Sequence, residues 1–272
     1  MRTVRVAAIA DVHCRTTSAG TLKPLLARAT HGADVLALCG DLTDTGLTSE
    51  AEVLADELRA TGLPCVAVLG NHDHESGTAE DVRRILTEAG VQVLQGEACE
   101  ILGIGFAGVK GFAGGFGRRA LGAWGEDAIK AFVREAIDEA LKLEEALAKL
   151  RTSVRVALLH YSPIEATVRG EPEQIYPFLG SSRLEDPIDR YKADLVLHGH
   201  AHFGSIEGRT RGGVPVYNVS LPLLRSRSYD PPIRVFELNV RDDGAPREER
   251  AIAEEQESPA YAGEVTPRSG KE

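Results

Sequence analysis

No apolar run in this chain of 272 residues is long enough to span a membrane, and Asp11 interrupts the only apolar run near the N-terminus. A spanning helix needs about 20 such residues, so neither a membrane segment nor a signal peptide is expected. Paired thiols are missing as well. The four cysteines, Cys14, Cys39, Cys65 and Cys99, form no CxxC pair, and three stand in or beside apolar runs. They read as reduced core residues of a cytoplasmic protein. Positive charge is in deficit: 31 basic against 41 acidic residues leave a net charge of -10, with no basic stripe. That field disfavours nucleic acid and anionic membranes. A phosphate substrate would have to be held by local positive charge, such as metal ions. No internal repeat is visible. What is present is an apolar fraction of 43%, enough for one large α/β or sandwich domain, expected over residues 1–240.

The informative feature is how the apolar runs end. Residues 65–69 read as a buried strand and lead into Gly70-Asn71-His72-Asp73. Residues 4–10 lead into Asp11-Val12-His13, and residues 34–39 into Gly40-Asp41. Residues 154–159 end in His160, and residues 194–197 run into His198-Gly199-His200-Ala201-His202. Five strand ends thus carry Asp, Asn or His, and ligands in open α/β sheets bind beyond such ends. One cluster of ligands is the economical explanation.

Between the first strands the spacing predicts helices over residues 21–29, with Leu22, Leu25, Leu26 and Ala29 on one face, and over residues 78–89. A third is expected to start where Ser49 and Glu52 have capping-box spacing and to stop at Gly62. Three strand–helix units argue for a parallel sheet with right-handed crossovers. Residues 99–109 read as one strand, followed by a glycine-rich loop over 110–117. The longest helix is expected over 126–149, with Ile129, Phe132, Val133, Ala136, Ile137, Ala140, Leu141 and Leu147 as its packing stripe. Residues 162–191, with four prolines, form a candidate lid or specificity segment, or else a plain crossover. Asp186-Pro187 should open a short helix there. A hairpin turning at Arg211-Gly212-Gly213 and a last strand over 233–240 follow. Residues 241–272, thin in apolar side chains, are expected to be a flexible tail.

The ligand inventory is Asp11, His13, Asp41, Asn71, His160, His200 and His202. It is hard-to-borderline oxygen and nitrogen with no cysteine, which suits a pair of divalent ions rather than a structural zinc. Such a pair clamps a phosphoryl group and acidifies water. Taken in order, Asp-x-His, Gly-Asp, Gly-Asn-His-Asp, a lone His and Gly-His-x-His resemble the calcineurin-like metallophosphoesterases, specifically their bacterial phosphodiesterase-like branch. The resemblance covers roughly residues 4–220. It implies an α/β fold in which two mixed β-sheets pack as a sandwich flanked by helices. It also implies that Asp11, His13, Asp41 and His202 hold one metal and that Asp41, Asn71, His160 and His200 hold the other. Asp41 would be the bridge, with Mn, Fe or Zn as the ions. The activity implied is hydrolysis of a small phosphodiester or phosphomonoester by a metal-bridging hydroxide. His72 would assist as general acid or charge stabiliser, unless it merely braces its loop. Asp73 would orient His72 or a neighbour.

Other signals are weaker. Gly103, Gly105 and Gly108 match a dinucleotide fingerprint, but more glycine-rich loop follows instead of a helix. His74 reads as a solvated loop residue, His198 as a hydrogen-bonded buried imidazole, and Arg225 and Arg227 as surface. No arginine follows Gly40-Asp41 within Leu42-Thr43-Asp44-Thr45-Gly46, which argues against a phosphoprotein phosphatase. Two alternatives stand beside the leading reading: a nuclease of the same superfamily, disfavoured by the acidic charge, and a catalytically inactive metal-binding scaffold, disfavoured by the gapless ligand set.

Overall fold

The computed structural model describes residues 1–241; residues 242–272, and with them nearly all of the expected tail, lie outside the described residues. Strand β1 (Arg2–Ile9), helix α1 (Leu22–Thr30), β2 (Val35–Cys39), α2 (Thr48–Arg59), β3 (Cys65–Val68), α3 (Ala79–Glu88) and β4 (Val91–Leu94) form three successive strand–helix units. β1 to β4 pair in parallel, with Val6 beside Val35, Leu36 beside Cys65 and Cys65 beside Val91. β2 and β3 are buried along their whole length, as central parallel strands covered on both faces must be. The last strand, β11 (Arg234–Val240), closes the far edge antiparallel to β1.

The second sheet contains β5 (Glu97–Ile101), β6 (Ile104–Gly108), β7 (Val154–Leu158), β8 (Leu195–His198), β9 (Glu207–Arg209) and β10 (Pro215–Asn218), in the order β5-β6-β7-β8-β10-β9. Between the sheets, Val6, Ala8, Val35, Ala37, Val66 and Val68 meet Phe106, Val156, Leu158, Leu195 and Leu197. The outer face of the first sheet packs beneath Leu22, Leu54, Leu58, Val82 and Leu86 of α1 to α3. The second is covered by Leu143 and Leu147 of α4 (Asp127–Lys149) and Ile188 of α6 (Glu185–Arg190). The result is the expected sandwich of two mixed sheets flanked by helices.

Four local expectations need correction. Residues 99–109 are not one strand. Leu102 and Gly103 both take positive φ, +51° and +77°, and turn the chain into the β5–β6 hairpin. Such a turn needs φ above zero at both central positions, and leucine there gives no sequence cue. β4 was not foreseen either. The residue bracing the start of α2 is Glu50, not Glu52: its carboxylate accepts Thr45 N–H at 2.9 Å and Leu47 N–H at 3.3 Å. The stripe on α4 is rotated. Val133, Ala136, Leu143, Ala146 and Leu147 are buried, whereas Ile129, Ile137 and Leu141 are exposed. Glu139 occupies the buried face, held by Gly111 N–H and Lys142, and a charged residue there hides the face from a hydrophobicity reading.

The segment 162–191 folds into short turns, α5 (Tyr176–Leu179) and α6. It lies along the glycine-rich loop through Gly115 N–H to the Gly180 carbonyl at 2.9 Å and Ser182 N–H to the Gly115 carbonyl at 3.1 Å.

Candidate metal centre

The chain leaves β1, β2 and β3 of the first sheet and β7 and β8 of the second at one end of the sandwich, and every motif residue stands there. The β1 and β2 loops run side by side: Asp11 N–H donates to the Gly40 carbonyl and His13 N–H to the Asp41 carbonyl, both at 3.0 Å. Asp11, His13, Asp41 and His200 all adopt positive φ, between +43° and +69°. Each such residue costs on the order of 1–3 kcal/mol, and such strain collects at functional sites. Two glycines make the crowding feasible. A Cβ on Gly70 would collide with Asp41, and one on Gly199 with Asp11.

Three overlapping groups of candidate ligand atoms result. Asp11, His13 and His202 form one, Asp41, His160 and His200 another, and the third, His13, Asp41 and His72, shares residues with the other two. His202 Nε2 donates to Asp11 Oδ1 at 3.2 Å, and both Asp11 oxygens accept His200 N–H at 3.1 Å. Asn71 Oδ1 lies 2.9 Å from His160 Nε2. Asp41 connects the groups: Oδ1 is 3.3 Å from His160 Nε2, and Oδ2 is 3.8 Å from His13 Nε2. All seven expected ligands are therefore brought together.

The donor set suits cations. His160 Nδ1 donates to the Cys39 carbonyl at 3.1 Å, so in the neutral ring Nε2 is a lone pair facing two oxygens, those of Asn71 and Asp41. Three acceptors pointed at one another call for a positive charge between them. His13 Nε2 is buried without a hydrogen-bond partner, a costly state for a polar atom unless something binds it. Burial lowers the pKa of His13, and burial aided by His160 pushes His200 down to about 3, keeping both rings neutral and able to ligate. Burial alone would raise the Asp11 carboxyl, but the His202 bond and the fields of His160, His202 and His200 outweigh it and hold it at about 2.

Neighbouring groups fix the orientation of these side chains. His72 Nδ1 donates to the Asp44 carbonyl at 2.7 Å, which leaves Nε2 toward the site, 3.9 Å from Asp41 Oδ2. The Asp44 carboxylate lies 3.5 Å from His13 Nδ1 and accepts Arg15 at 2.9 and 3.2 Å. Asp44 was not singled out from the sequence, although it stands in the same Gly-Asp-Leu-Thr-Asp run. Asp73 is fully buried. Its carboxylate accepts Gly70 N–H at 2.7 Å, Thr43 N–H at 2.8 Å, Thr43 Oγ1 at 2.6 Å and Leu42 N–H at 3.2 Å. Of the two orientations open to it, these bonds serve the neighbour, by stitching the Asp41 loop to the Asn71 loop. Burial pushes its pKa up, against those donors. His200 Nε2 donates to the Phe178 carbonyl at 3.2 Å, so the 162–191 segment touches a candidate ligand. His74 is exposed, as are Arg225 and Arg227. His198 is buried between the Gly199 carbonyl and Thr167 Oγ1, each at 2.8 Å.

Two sheets with acidic and imidazole ligands massed at one end define a metallophosphoesterase fold, and the chain belongs to the calcineurin-like phosphoesterase family, whose model matches residues 4–204. Among solved structures it is similar to protein TT1561 of Thermus thermophilus, at 19% identity and a TM-score of 0.53, covering 88% of this chain and 100% of that one. It is also similar to GAP50, the anchor in the inner membrane complex of Plasmodium, at 9% identity and a TM-score of 0.51, covering 82% and 73%. A structure described as "Putative 5'-Nucleotidase from Staphylococcus aureus" aligns at 15% identity over 80% of this chain and 48% of that one, with a TM-score of 0.45. No curated protein sequence matches the chain. Among the described residues, no helix is long and apolar enough to cross a membrane.

Proposed function

We propose that the protein is a dinuclear metal-dependent phosphoesterase hydrolysing a small phosphodiester or phosphomonoester. The observation that carries this reading is Asp41, whose two oxygens face the two proposed cation sites. Asp11, His13, Asp41 and His202 would hold one cation, and Asp41, Asn71, His160 and His200 the other, with Mn, Fe and Zn as the candidates. When bound, such a pair supplies positive charge to the phosphoryl oxygens and an acidified water as nucleophile.

The protein's own residues do the rest. His72 keeps Nδ1 on the Asp44 carbonyl, so a proton held at Nε2 can pass to the departing ester oxygen. Transfer of that kind is worth about 10²–10⁴-fold. Asp73 and Asp44 are positioning residues: the first holds the Asp41 loop against the Asn71 loop, and the second orients His13 and His72. The net charge of -10 favours a small substrate over nucleic acid, and the unpaired cysteine spacing favours the cytoplasm.

The test is to chelate the purified protein, reload it with each metal, and assay monoester, linear diester and cyclic diester substrates. Hydrolysis that returns only on reloading is expected. Full activity after chelation would overturn the reading. So would a protein holding two metals that hydrolyses none of these esters, which would be the inactive scaffold.

A further inference from the structure

A half-buried cation stands beside this centre, and none of the roles above uses it. Lys110 follows β6 at the ligand end of the sandwich. Its carbonyl accepts the N–H groups of His160 and Tyr161, each at 3.0 Å, which ties the residue to the end of β7. Its ammonium donates to the Gly111 carbonyl at 2.9 Å and lies 4.8 Å and 5.3 Å from the ring centroids of Phe112 and Tyr161. Tyr161 packs in turn on His200 and His160, with ring centroids 4.4 Å and 5.4 Å apart. One ring therefore separates the ammonium from two candidate ligands.

That ammonium is short of counter-charge. It has three donors, and one goes to Gly111. The carboxylate that favours its charge most is hydrogen-bonded elsewhere: Glu139 gives Oε1 to Lys142 at 2.7 Å and Oε2 to Gly111 N–H at 2.8 Å. Glu139 and Glu135 favour the charge through space, Lys142 opposes it, and burial works against it most. The field of Lys110 also reaches His74, on the loop that carries Asn71 and His72. A half-buried charge with no carboxylate in direct contact is costly, and aromatic faces offset only part of the cost. In a chain with a net charge of -10, the missing anion has an evident source in a phosphate ester.

We infer that Lys110 is the anion-binding residue of this site, taking a phosphate oxygen of the substrate over the rim formed by Tyr161 and Phe112. The inference rests on the phosphoesterase reading for its substrate class. The oxygen can belong to the transferred phosphoryl group or to a second anionic group on the same substrate.

The experiment compares wild type, Lys110→Met and Lys110→Arg as metal-loaded proteins of equal metal content and melting temperature. Inorganic phosphate is the probe, as a competitive inhibitor and by calorimetry. Losing a hydrogen bond to a charged group should weaken phosphate binding and raise KM about tenfold or more in Lys110→Met, with partial recovery in Lys110→Arg. An equal loss on simple monoesters and diesters assigns the oxygen to the transferred group. A loss confined to substrates with a second phosphate assigns it to the distal one. Phosphate affinity and KM within twofold of wild type on every substrate would overturn the inference. If Lys110→Met does not fold, wild type answers the question. Phosphate should slow acylation of the Lys110 amine, and equal rates with and without phosphate would overturn the proposal. This second measurement needs no turnover, so it separates the failure of Lys110 as an anion site from the failure of the phosphoesterase reading.

Discussion

Replacing Gly70 by alanine adds one methyl group to the loop that carries Asn71 and His72. The φ of Gly70 lies outside the left-handed region, so alanine costs nothing in backbone conformation there. The cost is steric. The new Cβ would sit 2.9 Å from Asp41 Cγ and closer still to its backbone nitrogen and Oδ1. Carbon–carbon contact prefers about 3.5–4.0 Å, so the two loops must part by at least about 0.6 Å. Asp41 cannot simply swing away, because Leu42 N–H and Thr43 N–H are fastened to Asp73 and the Asp41 carbonyl to His13 N–H. Overpacking of this kind costs about 1–3 kcal/mol, and the displacement falls on the carboxylate proposed to bridge the ions. Gly62→Ala is the control: its φ of +66° makes alanine strained, by about 1–2 kcal/mol, but nothing lies within 4 Å of the added Cβ. Both variants should lose similar stability in thermal melts. Elemental analysis and metal titration should separate them, with Gly62→Ala keeping the wild-type metal content and Gly70→Ala losing at least half of it. A Gly70→Ala protein with unchanged metal content and affinity would refute the argument that this glycine exists to admit Asp41.

Asp41→Asn should lower metal content and turnover together; an active variant with both sites filled would remove the bridging role. His72→Ala should leave metal content unchanged while turnover on an ester with a poor leaving group falls about 10²–10⁴-fold, and undiminished turnover would exclude proton donation by His72. Chelation should lower the melting temperature. Metal at a hundred times its Kd contributes about 2.7 kcal/mol, roughly 5–10 °C for a chain of this size, and identical melts with and without metal would contradict ligation by the folded state. Glu97→Gln addresses pH. Partial burial opposes the Glu97 charge, but the Gln95 N–H and Arg83 Nη2, the latter at 2.7 Å, outweigh it and lower the carboxyl pKa. A folded pKa below the unfolded one contributes stability that is full above about pH 4.3 and lost as the pH falls through the lowered value. The variant should therefore lose less than about 1 kcal/mol at neutral pH after solvent screening, and denaturant melts should show the gap closing in acid. A gap that persists there would assign the loss to packing.

The fold and the clustering of the candidate ligands were legible for one reason: parallel strands buried on both faces are nearly uninterrupted apolar runs, so a polar residue at the end of each stands out. The β5–β6 hairpin was not legible, since its turn is Leu102-Gly103 and the apolar character runs on through it. The face of α4 was misjudged because Glu139 is buried there and paired with a backbone N–H and Lys142. Asp44 illustrates a different limit. It acts on His72 through its backbone carbonyl, a group every residue carries, so no side-chain pattern could announce that contact, and only its carboxylate beside His13 and Arg15 was open to a sequence reading.

The two proposed cation sites have a property that neither sheet has alone. Asp11 and His13 come from the first sheet and His202 from the second; Asp41 comes from the first, and His160 and His200 from the second. Each proposed cation would therefore be held across the apolar layer that joins the sheets, so any change in how the sheets pack reaches the metal distances directly. The sheets approach closely at Gly108 of β6, where an added Cβ would collide with Val68 and Leu94 of the first sheet. The apolar interior and the proposed ligand cluster are two ends of one contact, so residues that are not themselves proposed ligands, such as Gly70, Asp73 and Thr43, should govern how well the metals are held.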